Sequence, residues 1–209
     1  FINPSTRIGL KDGTLNVDGL KAGLFGGNAS MNARVVDPAD EKQPLSLSVQ
    51  SKMDNVNLEP LVTALSGTRR LKAAGDVSFD MDVSGSGLSS HALVSSLQGK
   101  STLNGSNIVM KGFDLAQIGL AFVDSGKPLD RLSNLVGGAT TSGETRFDTI
   151  KGNYDIAQGV VNISSMEMDR PAANIKSKGN ANLPQWYIDT IHTITFKQAK
   201  DAGAFDVAG

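Results

Sequence analysis

Apolar and polar residues alternate along most of this chain, the period-two pattern of strands that bury one face and wet the other. The pattern is densest between Gly143 and Pro184, where it predicts three consecutive antiparallel strands. The first, Thr145–Ile156, ends at Ala157-Gln158-Gly159, a hairpin connection closed by a glycine able to take φ > 0. The second, Val160–Asp169, is rich in β-branched residues and methionine. Arg170-Pro171 stops it, because proline has no N–H to give to a ladder. The third, Ile175–Leu183, sets Ile175, Ser177, Gly179, Ala181 and Leu183 on one side of the pleat. Asn174, Lys176, Lys178, Asn180 and Asn182 take the other.

The same alternation recurs upstream. Lys11-Asp12-Gly13 is a turn signal, and Leu15, Val17 and Gly19 alternate after it; Leu20–Leu24 reads as a second short strand before a reversal at Gly26-Gly27. Ala29–Val35 makes a third strand and Leu45–Met53 a half-buried fourth. The longest alternation runs over Leu71–Gly85, with Val77, Phe79, Met81 and Val83 facing one way and Asp76, Asp80 and Asp82 the other. Lys100–Lys111 and Trp186–Phe196 add further strands. Between them the period changes to that of short helices: Leu58–Leu65, opened by Asn57 or Glu59 with Pro60 in its first turn and ended at Gly67; His91–Leu97, stopped at Gly99; one around Leu115, Ile118 and Phe122; and one from Pro128 to Val136. Ala199–Gly209 has no period and is expected to fray. The expectation is a single mainly β domain over residues 1–198, with a few short helices, and a frayed tail at 199–209.

Composition narrows the function. The formal net charge is −1, from 20 basic and 21 acidic residues, which removes the electrostatic basis of nucleic-acid binding. Only 39% of residues are hydrophobic and 5% aromatic, against 23 glycines, a mixture suited to a thin sheet rather than a thick α/β core. Without cysteine, no disulfide or thiolate metal site can form. No stretch approaches the roughly 18 apolar residues of a membrane-spanning helix. The chain opens on Phe1-Ile2-Asn3-Pro4, with no signal peptide and no initiator methionine, and reads as a fragment of a longer protein.

Motifs for chemistry are sparse. Asp76, Asp80 and Asp82 share a strand face, where adjacent same-face positions sit about 6.6 Å apart, compatible with a cation or an acid/base pair, but also with a solvated polar surface. The only two histidines, His91 and His192, do not make a zinc motif; His192 is expected at the edge of the apolar face that carries Ile188 and Ile194. No Gly-x-Ser-x-Gly elbow supports a serine triad, Gly85-Ser86-Gly87 reads as a loop, and no glycine-rich phosphate loop opens a helix. Arg69-Arg70 reads as a solvated step in a loop. The informative feature is an apolar strand face bearing Leu45, Leu47, Val49, Val77, Phe79, Met81 and Val83, which a few short helices are too small to cover across about ten strands. Two outcomes remain: the sheet closes on itself as a sandwich or barrel, or it curls into an open trough able to take acyl chains.

The Gly143–Pro184 stretch resembles the C-terminal domain of the AsmA family, through Thr145, Phe147, Gly152, Ile156, Gly159, Val160, Asp169, Pro171, Gly179 and Leu183. Asn57-Leu58-Glu59-Pro60-Leu61, Ala64-Leu65-Ser66-Gly67, Ser84-Gly85-Ser86-Gly87, Leu97-Gln98-Gly99 and Lys111-Gly112-Phe113-Asp114-Leu115 also look like family landmarks. The similarity is good over Leu45–Leu183 and loose before it. Asn107 departs from it, standing where the family often has a glycine beside a turn.

The resemblance implies a curved antiparallel meander sheet forming an open groove or half-pipe, similar to bridge-like lipid transfer proteins, and so favours the trough. It also implies a non-enzymatic domain that binds or transports phospholipid. Such a domain lies in the periplasm of a Gram-negative bacterium, held to the inner membrane by an anchor this chain does not contain, and serves outer-membrane biogenesis. The implied partners are phospholipid acyl chains, the inner membrane and envelope assembly proteins, with no nucleic acid, cofactor, metal or catalytic residue. The alternative is a periplasmic assembly or protein-interaction module with a closed β core. A third class, an esterase-like or glycan-active enzyme, has no motif behind it.

Overall fold

The computed structural model describes residues 2–38, 40, 42–66, 72–111 and 143–197. Ten strands and two helices follow one another: β1 (Ile2–Lys11), β2 (Thr14–Leu24), β3 (Gly27–Val36), β4 (Leu45–Asn57), α1 (Leu58–Ser66), β5 (Lys72–Gly87), α2 (Ser90–Ser95), β6 (Gln98–Lys111), β7 (Glu144–Ala157), β8 (Val160–Arg170), β9 (Ala173–Asn182) and β10 (Tyr187–Phe196). All ten strands form a single antiparallel sheet in the order of the sequence. Among the described residues β1 pairs with β2 alone and β10 with β9 alone. The sheet is therefore not closed, and its form is consistent with a curved groove. Among the described residues the closed sandwich or barrel fails for a topological reason, since no strand leaves the sheet and none returns to pair with β1.

Local chemistry accounts for the hairpins. Gln158 (φ 50°) and Gly159 (φ 72°) both take positive φ between β7 and β8, the turn whose twist matches that of paired strands. Asp12-Gly13 and Phe25-Gly26 repeat that geometry. The helices begin where the pattern predicts: Asn57 Oδ1 accepts from the Glu59 N–H at 3.1 Å to start α1, and Ser89 Oγ accepts from the Ala92 N–H at 3.1 Å to start α2.

Some expectations need correction. β1 escaped the pattern because Asn3-Pro4 and two register shifts interrupt its alternation, leaving only Ile8 and Leu10 in phase. Thr14–Leu24 is one strand and not two pieces; Gly19 (φ 61°) lies in a bulge between Val17 and Leu20 that lets the apolar side resume its face. Gly85-Ser86-Gly87 is no loop but the end of β5, and Gly99 lies within β6 rather than ending a helix. Asn107 takes φ 52° at a bulge in β6, a left-handed position that asparagine tolerates, so this departure from the family pattern keeps its turn. The helices expected around Leu115–Phe122 and Pro128–Val136, the Arg69-Arg70 step and the 199–209 tail lie outside the described residues.

The core lies on one side of the sheet. Val77, Ile108, Phe147, Ile150, Ala173, Ile175 and Ile194 form its buried cluster, with Leu58 and Leu61 of α1 packed against it. Phe147 at 1% exposure and Ile108 at 2% are its most enclosed large members. Each such side chain contributes about 1.5–3 kcal/mol of transfer energy.

Candidate functional site

Register decides what the apolar residues form. Ile8, Val17, Ala33, Val49, Val83, Gly99, Ile156, Val161, Ala181 and Ile188 are successive cross-strand partners, one from each strand. Directly opposed residues share a face, so this is one apolar row from edge to edge. Nine steps of about 4.8 Å make it roughly 43 Å long. A second row runs Ala22, Ala29, Met53, Phe79, Leu103, Gly152, Met166, Ser177 and His192 on the same face.

The structure brings all seven candidate residues onto this face. Leu45 pairs with Gly87, Leu47 with Gly85, Val49 with Val83, and Met81 and Phe79 continue the same side of β5. Leu45, Leu47, Val49, Phe79, Met81 and Val83 are half-buried. Val77 is set apart: at 6% exposure it belongs to the buried cluster.

Both helices rest on this face, near its two ends. α1 reaches the buried cluster through Leu58 and Leu61. α2 sits directly over the end of β5, where a Cβ on Gly87 would fall on the backbone nitrogen of Leu93 and one on Gly85 would come within 3.0 Å of Ser96 Oγ. Two glycines opposite Leu45 and Leu47 thus provide the room in which α2 lies. Sequence reasoning missed this role, although two glycines two apart on the apolar side of a strand are the signal of a close approach.

Polar groups interrupt the face at several places, with Ser51 and Ser101 opposite Met81 and others toward β10. Tyr154 leans across Gly152, where an added Cβ would meet its hydroxyl at 2.5 Å, and its Oη lies 3.8 Å from Met166 Sδ. Burial raises the pKa of this phenol. Ser177, 2% exposed, holds its Oγ 2.8 Å from His192 Nδ1, and Thr190 Oγ1 lies 3.1 Å from His192 Nε2. His192 therefore stands where the pattern placed it, beside Ile194 on the apolar side of β10, with its ring exposed. The serine–histidine pair does not have the layout of a hydrolytic triad: the serine oxygen is enclosed and the third member is a hydroxyl. At the far end of the face Arg170, paired with Ala173, has its Nε buried without a hydrogen-bond partner.

The opposite face is hydrophilic. Asp80 pairs with Lys52, and Asp82 lies between Gln50, whose Nε2 donates to it at 3.2 Å, and Lys100. All three carboxylates of β5 are exposed, each opposite a polar or cationic neighbour, as a solvated face requires. Among the described residues no three His, Asp or Glu side chains converge on a possible metal position. Nor is any described helix long and apolar enough to cross a membrane.

No curated protein and no solved structure shows significant similarity to the chain. The model of the AsmA family matches residues 2–166, from β1 into β8. That span is well over half of the chain and covers most of both apolar rows; the end of β8, β9 and β10 lie beyond it. The chain belongs to the AsmA family, a membership consistent with a role in envelope lipid transport.

Proposed function

We propose that this chain is a non-enzymatic phospholipid-binding domain, taking acyl chains on the apolar face of its open sheet. The observation that carries the reading is the row from Ile8 to Ile188, apolar on all ten strands of a sheet whose first and last strands each have a single partner among the described residues. In water such a surface is unfavourable at about 25 cal/mol for every Å2 left exposed, and acyl chains are the ligands whose shape and chemistry match a long apolar strip. The opposite face, with its Asp, Lys and Ser residues, keeps the domain in solution.

In this reading the domain works in the periplasm of a Gram-negative envelope, joined to the inner membrane through another part of its protein. It passes phospholipid toward the outer membrane and so supports outer-membrane biogenesis. Its partners are phospholipid acyl chains, the inner membrane and envelope assembly proteins. The alternative of an assembly module with a closed β core loses its premise, because the sheet is open.

The test is native mass spectrometry of the gently purified protein, followed by organic extraction and lipid analysis. Co-purifying phospholipid, lost in a folded Phe79→Asp variant, supports the reading. A clean apo mass with no uptake from phospholipid vesicles overturns it. Phe79 is the residue to change because it is half-buried in the middle of the face, whereas Val77 belongs to the core.

A further inference from the structure

We propose that the end of the sheet at which the β9–β10 hairpin turns, with Trp186 at its tip, is a rim that docks on a phospholipid bilayer and through which lipid reaches the apolar row. The proposal rests on the lipid-binding reading and names the surface with which the sheet exchanges its ligand. Trp186 is the only tryptophan of the chain and is 92% exposed, the most solvent-facing large apolar side chain among the described residues. Tyr187 beside it is exposed, and so is Leu88, in the turn before α2 at the same end of the sheet. Backbone hydrogen bonds tie the connections at this end together: the Gly159 N–H donates to the Leu97 carbonyl at 2.9 Å, and the Leu183 N–H donates to the Gly159 carbonyl at 3.0 Å. Two residues beyond Trp186 stands Ile188, where the apolar row ends. The row and the rim thus meet at one corner of the sheet.

Charge separates the two ends of strands β5 to β10. At the rim, residues 87–97, 157–160 and 183–187 include no Asp, Glu, Lys or Arg. At the opposite end the same strands begin or finish beside Lys72, Lys111, Glu144, Asp169, Arg170 and Lys197. Charges suit a sheet end that stays in water. An uncharged end bearing Trp and Tyr suits the headgroup layer of a bilayer, because those rings have an apolar body and one polar edge. The tip is also built to hold its indole outward. Trp186 takes φ 52°, a left-handed position that a bulky residue keeps only where its turn imposes it. Here the Gln185 N–H donates to Asn182 Oδ1 at 3.0 Å and the Trp186 N–H to the Leu183 carbonyl at 3.4 Å. Pro184 packs on Gly159, where an added Cβ would lie 2.9 Å from its ring. A part in the core would have covered the indole; this ordered turn leaves it in water.

The experiment uses the full chain and neutral phosphatidylcholine vesicles, with the single tryptophan as a built-in probe. Trp186 emission should move to the blue when vesicles are added, and the protein should float with them at low and high salt alike, since no charge takes part. Trp186→Asn keeps a residue that tolerates positive φ and should weaken co-flotation roughly tenfold or more, the effect of taking one large apolar side chain out of the interface. Leu88→Asp should weaken it too, and it leaves the fluorescent probe in place. Co-flotation equal in wild type and Trp186→Asn overturns the rim, as does flotation that needs anionic lipid and disappears in high salt. A protein that retains phospholipid in native mass spectrometry yet never floats overturns the rim and leaves the groove reading standing. Neither flotation nor retained phospholipid overturns both. A blue shift that grows with protein concentration in the absence of vesicles identifies a contact between copies and overturns the bilayer assignment.

Discussion

Phe147 and Phe79 stand on the same face of the same sheet, two strands apart, yet they serve opposite ends. Phe147 is 1% exposed within the cluster of Ile108, Ile150 and Ile175. Phe79 is half-buried in the row between Met53 and Leu103. Side-chain chemistry does not distinguish the two regions; cover does. Where the apolar face is covered it is a core and holds the fold. Where it is only half-covered, along Leu47, Val49, Met81 and Val83, it remains a surface with work to do. The sheet spends one continuous stripe on stability and, in the proposed reading, on binding.

The comparison breaks first at Phe147. Phe147→Asp places an unpaired charge in the cluster and should abolish cooperative unfolding in a denaturant titration, because the cost rivals the whole stability of an ordinary domain. Phe147→Ala is the graded version and should lower stability by about 3–5 kcal/mol. A Phe147→Asp protein that melts like wild type would show that this region is open as well.

Next in size is Gly87→Ala. The added methyl falls on the backbone of α2, and forcing the helix off the end of β5 should cost about 1–3 kcal/mol, read by denaturant midpoint, with faster amide exchange at Leu93. Phe79→Asp should cost less than about 1 kcal/mol while removing bound lipid, the reverse of the Phe147 result. A large loss of stability there would make the half-buried stripe a core after all.

The smallest effect belongs to Asp169. Hydrogen bonds from Lys197 and then Asn174 hold its carboxyl below the usual carboxylate range. Its contribution is present above the unfolded carboxylate's pKa of about 3.9 and is lost as pH falls through the lower native value. Stability curves of wild type and Asp169→Asn should therefore differ slightly at neutral pH and converge in acid. Curves that stay parallel into acid would remove the pair from the account.

Much of this was legible in the residues. Alternation placed β3 through β10 and both described helices close to their bounds, since a strand with one wet face writes its orientation into every second position. Asp76, Asp80 and Asp82 proved to be the solvated face of β5. β1 was lost because Asn3 and Pro4 break the period, and the unity of β2 because its bulge at Gly19 shifts the phase. The seven candidates share a face, which parity could tell. That Val77 is enclosed and Phe79 is not depends on α1 and the neighbouring strands, which no period records. The contact of Ser177 with His192 lay equally out of reach, because the register of β9 against β10 sets it.

The strand order has a further consequence. Every strand pairs with its neighbours in sequence, so the sheet is a linear chain of hairpins with nearest-neighbour coupling, like a repeat array. Such an object can zip from any strand pair and propagate outward, and among the described residues it contains no closure that a change in strand number would violate. Adding or deleting a hairpin alters the length of the strip while leaving its register intact. Length is thus a free variable of this architecture, available to match whatever distance the sheet has to span.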